Sequence, residues 1–212
     1  MPDSGSNEFL ETSAHHTPPA GGRQPNPVYE LFVLGELMVQ PLYGYLLHEI
    51  ANMIFGPFHR FSWGTIYPLI RRLEQEGLIT SETQKRRVGL LQAERGPSRK
   101  VYSLTEAGKV RFFSLMLDPG TYNQDFPNLF VMKFTKFGYL TPAQRLTVLQ
   151  QYRTFLCILQ DHYSTVGSAV AHNPEVTEIE RPYIVRLLEN RRGTLETELV
   201  WLDNQIIGMT TP

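Results

Sequence analysis

The sequence predicts a mainly α-helical chain with one small β-hairpin. Three observations predict it. Helical stripes of apolar residues fill most of the length. A pair of strand-like runs, 78–83 and 100–104, brackets a long basic link. Two long helical segments, the first opened by Thr141-Pro142, follow in the last third. A helix that runs straight into a basic hairpin is the layout of a winged helix-turn-helix, a module that reads duplex DNA. The predicted architecture is therefore a winged helix-turn-helix domain plus an α-helical C-terminal dimerisation domain.

Residues 1–26 are rich in Pro, Gly, Ser and Thr and hold few large apolar side chains. They bury too little to offset the entropy of ordering and are expected to form a disordered tail, with His15 and His16 solvated in it. Pro27 suits a first helical turn, and Val28, Leu31, Phe32, Leu34, Leu37 and Met38 continue a helical stripe to Gln40-Pro41. A second helix over 44–55 ends at Gly56-Pro57. Ser62 is placed to cap a third, which Gly77 stops. The link between the two strands, 84–99, is long for a hairpin. Thr105-Glu106 then opens a fourth helix reaching Leu117.

Asp118-Pro119-Gly120 reads as a linker. An apolar helix is expected over 129–139, a long one from Thr141-Pro142 to 171, and a last one over 175–207. Ile184, Leu187, Leu188, Leu195, Leu199, Leu202 and Ile206 in that last helix alternate spacings of three and four, as in a coiled-coil seam. The domain plan is thus a tail at 1–26, a winged-helix DNA-binding domain at 27–117 and a helical dimerisation and effector domain at 118–212.

Charge is distributed unevenly. The whole chain of 212 residues carries a formal charge of −1. Residues 57–111 hold 11 Lys/Arg against 5 Asp/Glu, whereas 118–212 hold 8 against 10. The basic segment suits phosphates, and the remainder faces something else. Cys157 is the one cysteine, so no internal disulfide can form. No secretory leader pattern and no apolar run of about 18 residues occur, which sets the expectation of a cytoplasmic protein without membrane contact. No Gly-rich phosphate loop, zinc-type spacing or nucleophile elbow is present. The sequence therefore argues against an enzyme and implies neither metal nor cofactor.

In the third helix, Ile66 sets the buried side together with Leu69, Ile70 and Leu73. Gly64, Pro68, Arg71 and Gln75 fall opposite, flanked by Thr65 and Arg72 on one edge and Tyr67 on the other. Gly64 permits close backbone approach, the helix N-terminus favours a phosphate, and a guanidinium can neutralise phosphates or fork onto guanine. Pro68 removes the hydrogen bond to Gly64 and should bend the axis. The candidate DNA-contacting set is Ser62, Gly64, Thr65, Tyr67, Arg71 and Arg72 on this helix, with Lys85, Arg86, Arg87, Arg99 and Lys100 on the wing.

The residues Leu34-Gly35, Tyr43-Gly44-Tyr45, Gly64-Thr65-Ile66-Tyr67-Pro68, Leu73-Glu74, Gly77-Leu78 and Tyr102-Ser103-Leu104-Thr105-Glu106-Ala107-Gly108 occur in this order. Together they resemble the PadR family of bacterial transcriptional regulators over about residues 28–117. The region 118–207 looks like the longer helical C-terminal domain of one PadR subgroup. The resemblance implies a homodimeric repressor that responds to a small molecule or stress, phenolic acids in the best-known members. It implies phosphate contacts from Thr65 and Tyr67 and minor-groove contact from the wing. It also accommodates Pro68, and this chain departs from it in a longer wing.

A dimer would let two modules read half-sites about one turn apart. A repressor also needs a trigger that binds its two states unequally. Phe130, Phe134, Tyr152, Tyr163 and Trp201 are the aromatic set from which an apolar effector pocket could be lined, and ordinary core packing accounts for the same residues. The expected partners are double-stranded DNA, a second copy of the chain and a small apolar or aromatic effector. Two other readings fit the sequence: a winged-helix protein-interaction module without DNA binding, and a thiol-based redox sensor acting through Cys157.

Overall fold

Asn26 is the first described residue of this computed structural model, which describes residues 26–56, 62–84 and 99–210. Its Oδ1 accepts from the Val28 N–H at 2.9 Å and caps α1 (Pro27–Val39), with Pro27 in the first turn. Helix α1 is apolar nearly all round: Val28, Leu31, Phe32, Val33, Leu34 and Leu37 are buried. It therefore runs through the interior and packs against elements from both halves of the chain.

A two-residue strand, β1 (Leu42–Tyr43), leads directly into α2 (Gly44–Phe55). Helix α3 (Trp63–Gln75) follows and stays continuous through Pro68. It stops at Gly77, whose φ of +71° lies in the left-handed region that glycine enters without strain. Strands β2 (Ile79–Gln84) and β3 (Arg99–Leu104) pair antiparallel, Ile79 opposite Leu104 and Gln84 opposite Arg99. β1 adds to the other edge of β3, giving the order β1-β3-β2. The sequence reading missed β1 because two residues are too few to show an alternating pattern.

Helix α4 (Glu106–Leu117) is capped by Thr105, whose Oγ1 accepts from the Gly108 N–H at 3.0 Å and donates to the carbonyls of Gly77 and Leu78. A Cβ at Gly108 would run into the Leu78 carbonyl oxygen. The run Leu-Thr-x-x-Gly thus locks the start of α4 against the turn between α3 and β2.

Beyond the linker, α5 (Phe126–Thr135) begins three residues earlier than the sequence suggests and ends four earlier, with a 3-10 turn, η1 (Phe137–Tyr139), in place of its last residues. Pro127 in its first turn explains the early start. Helix α6 (Pro142–His172) opens on a full capping box, Thr141 with Gln144. Helix α7 (Arg181–Thr210) starts at 181 rather than 175. The Arg181 guanidinium explains the delay: it donates to the carbonyls of Val170, Ala171, Asn173 and Val176, satisfying the end of α6 and holding the turn.

The buried side chains form one cluster that spans the linker. Two lysines reinforce that junction. Lys136 pairs with Glu36 of α1 at 2.7 Å. Lys133, 2% exposed, donates to the Asp118 carbonyl. Burial pushes the Lys133 ammonium down to about 8, with Asp118 opposing weakly. Among the described residues no helix is long and apolar enough to cross a membrane, and no cluster of metal-ligating side chains occurs.

Candidate nucleic-acid interface

The 3.6-residue period divides α3 as its sequence suggests. Ile66, Ile70 and Leu73 are fully buried, while Gly64, Pro68, Arg71 and Gln75 are exposed and Thr65 is half-buried. Tyr67 is 41% exposed. Beside it stands Trp63, 44% exposed, which was not among the expected contacts. Its indole stacks on His48 of α2 at 3.9 Å and on Tyr67 at 5.3 Å. The outward face thus presents a stacked aromatic row next to the Arg71 guanidinium, which makes no ion pair with a described residue.

Two expectations on this helix change with the structure. Ser62 occupies the N-cap position, but its Oγ pairs with Thr65 Oγ1 at 3.0 Å rather than with a backbone N–H. Arg72 does not lie beside Arg71 on the outer surface. Its Nη2 donates to Glu30 Oε2 at 2.8 Å, and Glu76 stands at 3.9 Å. Glu30 is 2% exposed and takes Arg111 on its other oxygen at 2.6 Å. A buried carboxylate needs paired cations, so the Arg72 guanidinium is held on Glu30 while its side chain stays 28% exposed.

At the base of the wing, β3 brings Arg99 and Lys100 to the same side as α3. Arg99 lies over the Tyr45 ring, 5.2 Å from its centroid, and Lys100 Nζ stands 3.7 Å from Glu74. Arg99, Lys100 and Tyr45, with Tyr43, Gly44, Tyr67 and Tyr102, line a cleft of about 440 Å³ between α2, α3 and β3. Burial raises the pKa of the Tyr102 hydroxyl, with Glu74 and Tyr67 adding to the rise and Arg71 opposing it. The predicted wing residues Lys85, Arg86 and Arg87 lie outside the described residues, as does the tail predicted at 1–26 apart from Asn26.

Four of the five residues expected to line an effector pocket do come together. Phe130 stacks on Tyr152 at 3.8 Å, and Trp201 meets Phe130 and Phe134 edge-on at 6.4 and 5.3 Å. Burial raises the pKa of the Tyr152 phenol, and its donation to Glu198 Oε1 adds to the rise. Phe126, Phe137 and Phe155 extend this packed cluster. Tyr163 makes no ring contact with these four and packs instead against the core and beside His162. Along the α7 seam, Leu195 and Leu202 are buried, and Leu199 and Ile206 pack on the core. Tyr183, Leu187, Val200 and Ile207 stay exposed. Cys157 is half-buried, with the Arg153 Nη1 at 3.7 Å from its sulfur.

Comparison with known proteins fits this geometry. Residues 33–113 match the model of the Transcriptional regulator PadR-like family. Among solved structures, the chain resembles a putative transcriptional regulator from Thermoplasma acidophilum at 28% identity, covering 41% of this chain and 75% of that one with a TM-score of 0.35. It resembles Bacillus subtilis PadR in complex with operator DNA at 21% identity, covering 87% and 99% with a TM-score of 0.39. A PadR-like transcriptional regulator from Bacillus cereus aligns at 22% identity over 84% and 99%, with a TM-score of 0.34. No curated protein matches the chain. The ordered motifs and the α3–β2–β3 winged helix fall within residues 33–113, the segment that matches the Transcriptional regulator PadR-like family.

Proposed function

We propose that the chain is a sequence-specific, DNA-binding repressor that works as a homodimer in the cytoplasm and lets go of its operator when a small molecule or stress signal arrives. The outward face of α3 is the observation that carries the reading. Gly64, Thr65, Tyr67 and Arg71 stand toward solvent beside the cations of β3, inside the segment that matches the family. In this reading α3 enters the major groove, Arg71 forks onto a base or a phosphate, and Arg99, Lys100 and the wing residues Lys85, Arg86 and Arg87 follow the backbone. Residues 27–117 hold DNA and 118–212 hold the second copy and the effector.

The test is fluorescence anisotropy with the duplex upstream of the chain's own gene, across a salt series. Tight binding that falls steeply with salt, and far weaker binding to a scrambled duplex, is expected. Arg71→Ala should flatten the log–log salt slope by about 1. Equal, weak binding to both duplexes would sink the operator assignment. In vitro transcription from the same DNA separates repression from activation, and phenolic acids are the first effectors to add.

The dimer is expected to use the apolar side chains that α7 leaves exposed, Tyr183 and Leu187 foremost. The effector is expected beside the Phe130, Phe134, Tyr152 and Trp201 cluster, where repacking of aromatic rings would couple to α7.

A further inference from the structure

The cleft between α2, α3 and β3 is more specific than a basic surface. We infer that it is a built site for one backbone phosphodiester of the bound duplex, with the Tyr102 hydroxyl as its directed donor. The inference rests on the DNA-binding reading above and goes on to a defined phosphate and a residue that the sequence reading did not include.

Four features converge there. Tyr102 is only 6% exposed, lines the cleft, and its hydroxyl makes no hydrogen bond with any described residue. The ring is packed away while the hydroxyl keeps contact with the solvent of the cleft, so a ligand oxygen can reach it. Its raised pKa keeps the O–H in place as a donor. Second, Arg99 is held at the cleft by the face of Tyr45, so its charge is positioned before any ligand arrives. Third, no side chain caps the N-terminus of α2, and its first residues line the cleft, so the positive helix end faces the same space. Fourth, Gly44 brings the backbone at the start of α2 close to both rings: a Cβ there would sit in van der Waals contact, 3.4 Å from the Tyr102 ring and 3.7 Å from the Tyr67 ring.

One carboxylate stands nearby and must be accounted for. Glu74 accepts from the Ser81 hydroxyl and pairs with Lys100 at 3.7 Å. Lys100 is therefore partly neutralised, and Arg99 carries the charge that a phosphate would feel. Tyr102 supplies direction rather than charge.

The experiment is a methylphosphonate scan. A duplex selected from a random pool by the intact protein is remade with one backbone phosphate neutralised at a time, and the wild type is compared with Tyr102→Phe and Arg99→Ala. Tyr102→Phe should weaken binding about tenfold, as for a hydrogen bond to a charged group, with the salt slope unchanged. Arg99→Ala should flatten the slope by about 1. One phosphate per half-site should be about tenfold less costly to neutralise for Tyr102→Phe than for the wild type, because Arg99 still feels its charge while the hydroxyl donor is gone. The Tm of Tyr102→Phe should match the wild type, because no protein partner is lost. If the wild type binds the duplex and Tyr102→Phe shows the same losses at every position, the phosphate assignment is overturned while the DNA reading stands. If the wild type selects no duplex, the DNA reading itself fails. Inorganic phosphate at constant ionic strength is the second arm. A phosphate-dependent rise in wild-type Tm that Tyr102→Phe lacks, without coupling on the duplex, would mean that the cleft serves a free phosphate and would overturn the duplex assignment.

Discussion

Arg72 and Glu30, 42 residues apart in sequence, form the ion pair that fixes α3 to the body of the protein. The Arg72 Nη2 lies 2.8 Å from a Glu30 carboxylate that is 2% exposed, and Arg111 of α4 holds the other oxygen at 2.6 Å. One buried carboxylate on α1 therefore ties α3 to α4.

That pairing separates two adjacent arginines by experiment. Removing one partner of a buried pair typically costs about 3–5 kcal/mol. Arg72 is 28% exposed and Glu30 keeps Arg111, so Arg72→Ala should cost roughly 2 kcal/mol, read as a lower urea midpoint. Arg71→Ala should leave stability within about 0.5 kcal/mol and instead flatten the salt dependence of DNA binding. The reverse pattern would mean that the two side chains have been assigned to the wrong faces.

Lys133 predicts a rise in stability on the alkaline side. At neutral pH its ammonium is protonated in both states, and the folded state bears the desolvation. Its folded pKa of about 8 lies below the ordinary 10.5, so between these values the unfolded chain binds more protons and stability climbs with pH. The gain from about pH 7 to about pH 9.5 should be on the order of 2 kcal/mol. Above about pH 10 the raised phenols of Tyr152 and Tyr102 act in the opposite direction. Urea titrations across this range should show the rise in the wild type and not in Lys133→Met. A flat wild-type profile would refute it.

Tyr152 joins α6 to α7 through Glu198 and stacks on Phe130 of α5. Tyr152→Phe should cost about 1–2 kcal/mol, since Glu198 is half-buried and loses its donor. Phe130→Ala should cost about 3–5 kcal/mol through the cavity it leaves. A double-mutant cycle of Tyr152→Phe with Glu198→Gln should show coupling above about 0.5 kcal/mol, and strict additivity would argue that the bond contributes nothing.

The exposed apolar side chains of α7 predict the consequence of charging them. Tyr183 is 67% exposed and Leu187 55%, one turn apart on the same face. If α7 carries the proposed dimer contact, replacing both with Glu should leave the chain folded by circular dichroism and shift its mass in sedimentation from dimer toward monomer. An unchanged dimer would place the interface elsewhere.

Much of this molecule is written locally. The period of Ile66, Ile70 and Leu73 orients α3 without reference to anything outside the helix, because a helical stripe must bury its apolar side. Thr105 and Thr141 announce helix starts because a cap bonds to backbone only three residues away. Signals of this range put Arg71 on the outer face, brought Gly64 and Tyr67 to it, and marked β2 and β3 as a hairpin.

Tertiary structure decided what those patterns leave open. The helical period puts Arg72 at the edge of the outer face, and only packing against α1 reveals that Glu30 claims it. Nothing near Asn173 in sequence predicts that Arg181 will satisfy four carbonyls and delay α7. Tyr102 reads as an ordinary strand residue until β1 and α2 bring Gly44 beneath its ring. The physical reason is one of range. Periodicity and caps act over a few residues of backbone. The fate of a charge or a hydroxyl depends on which distant group shares its surroundings once water has been excluded.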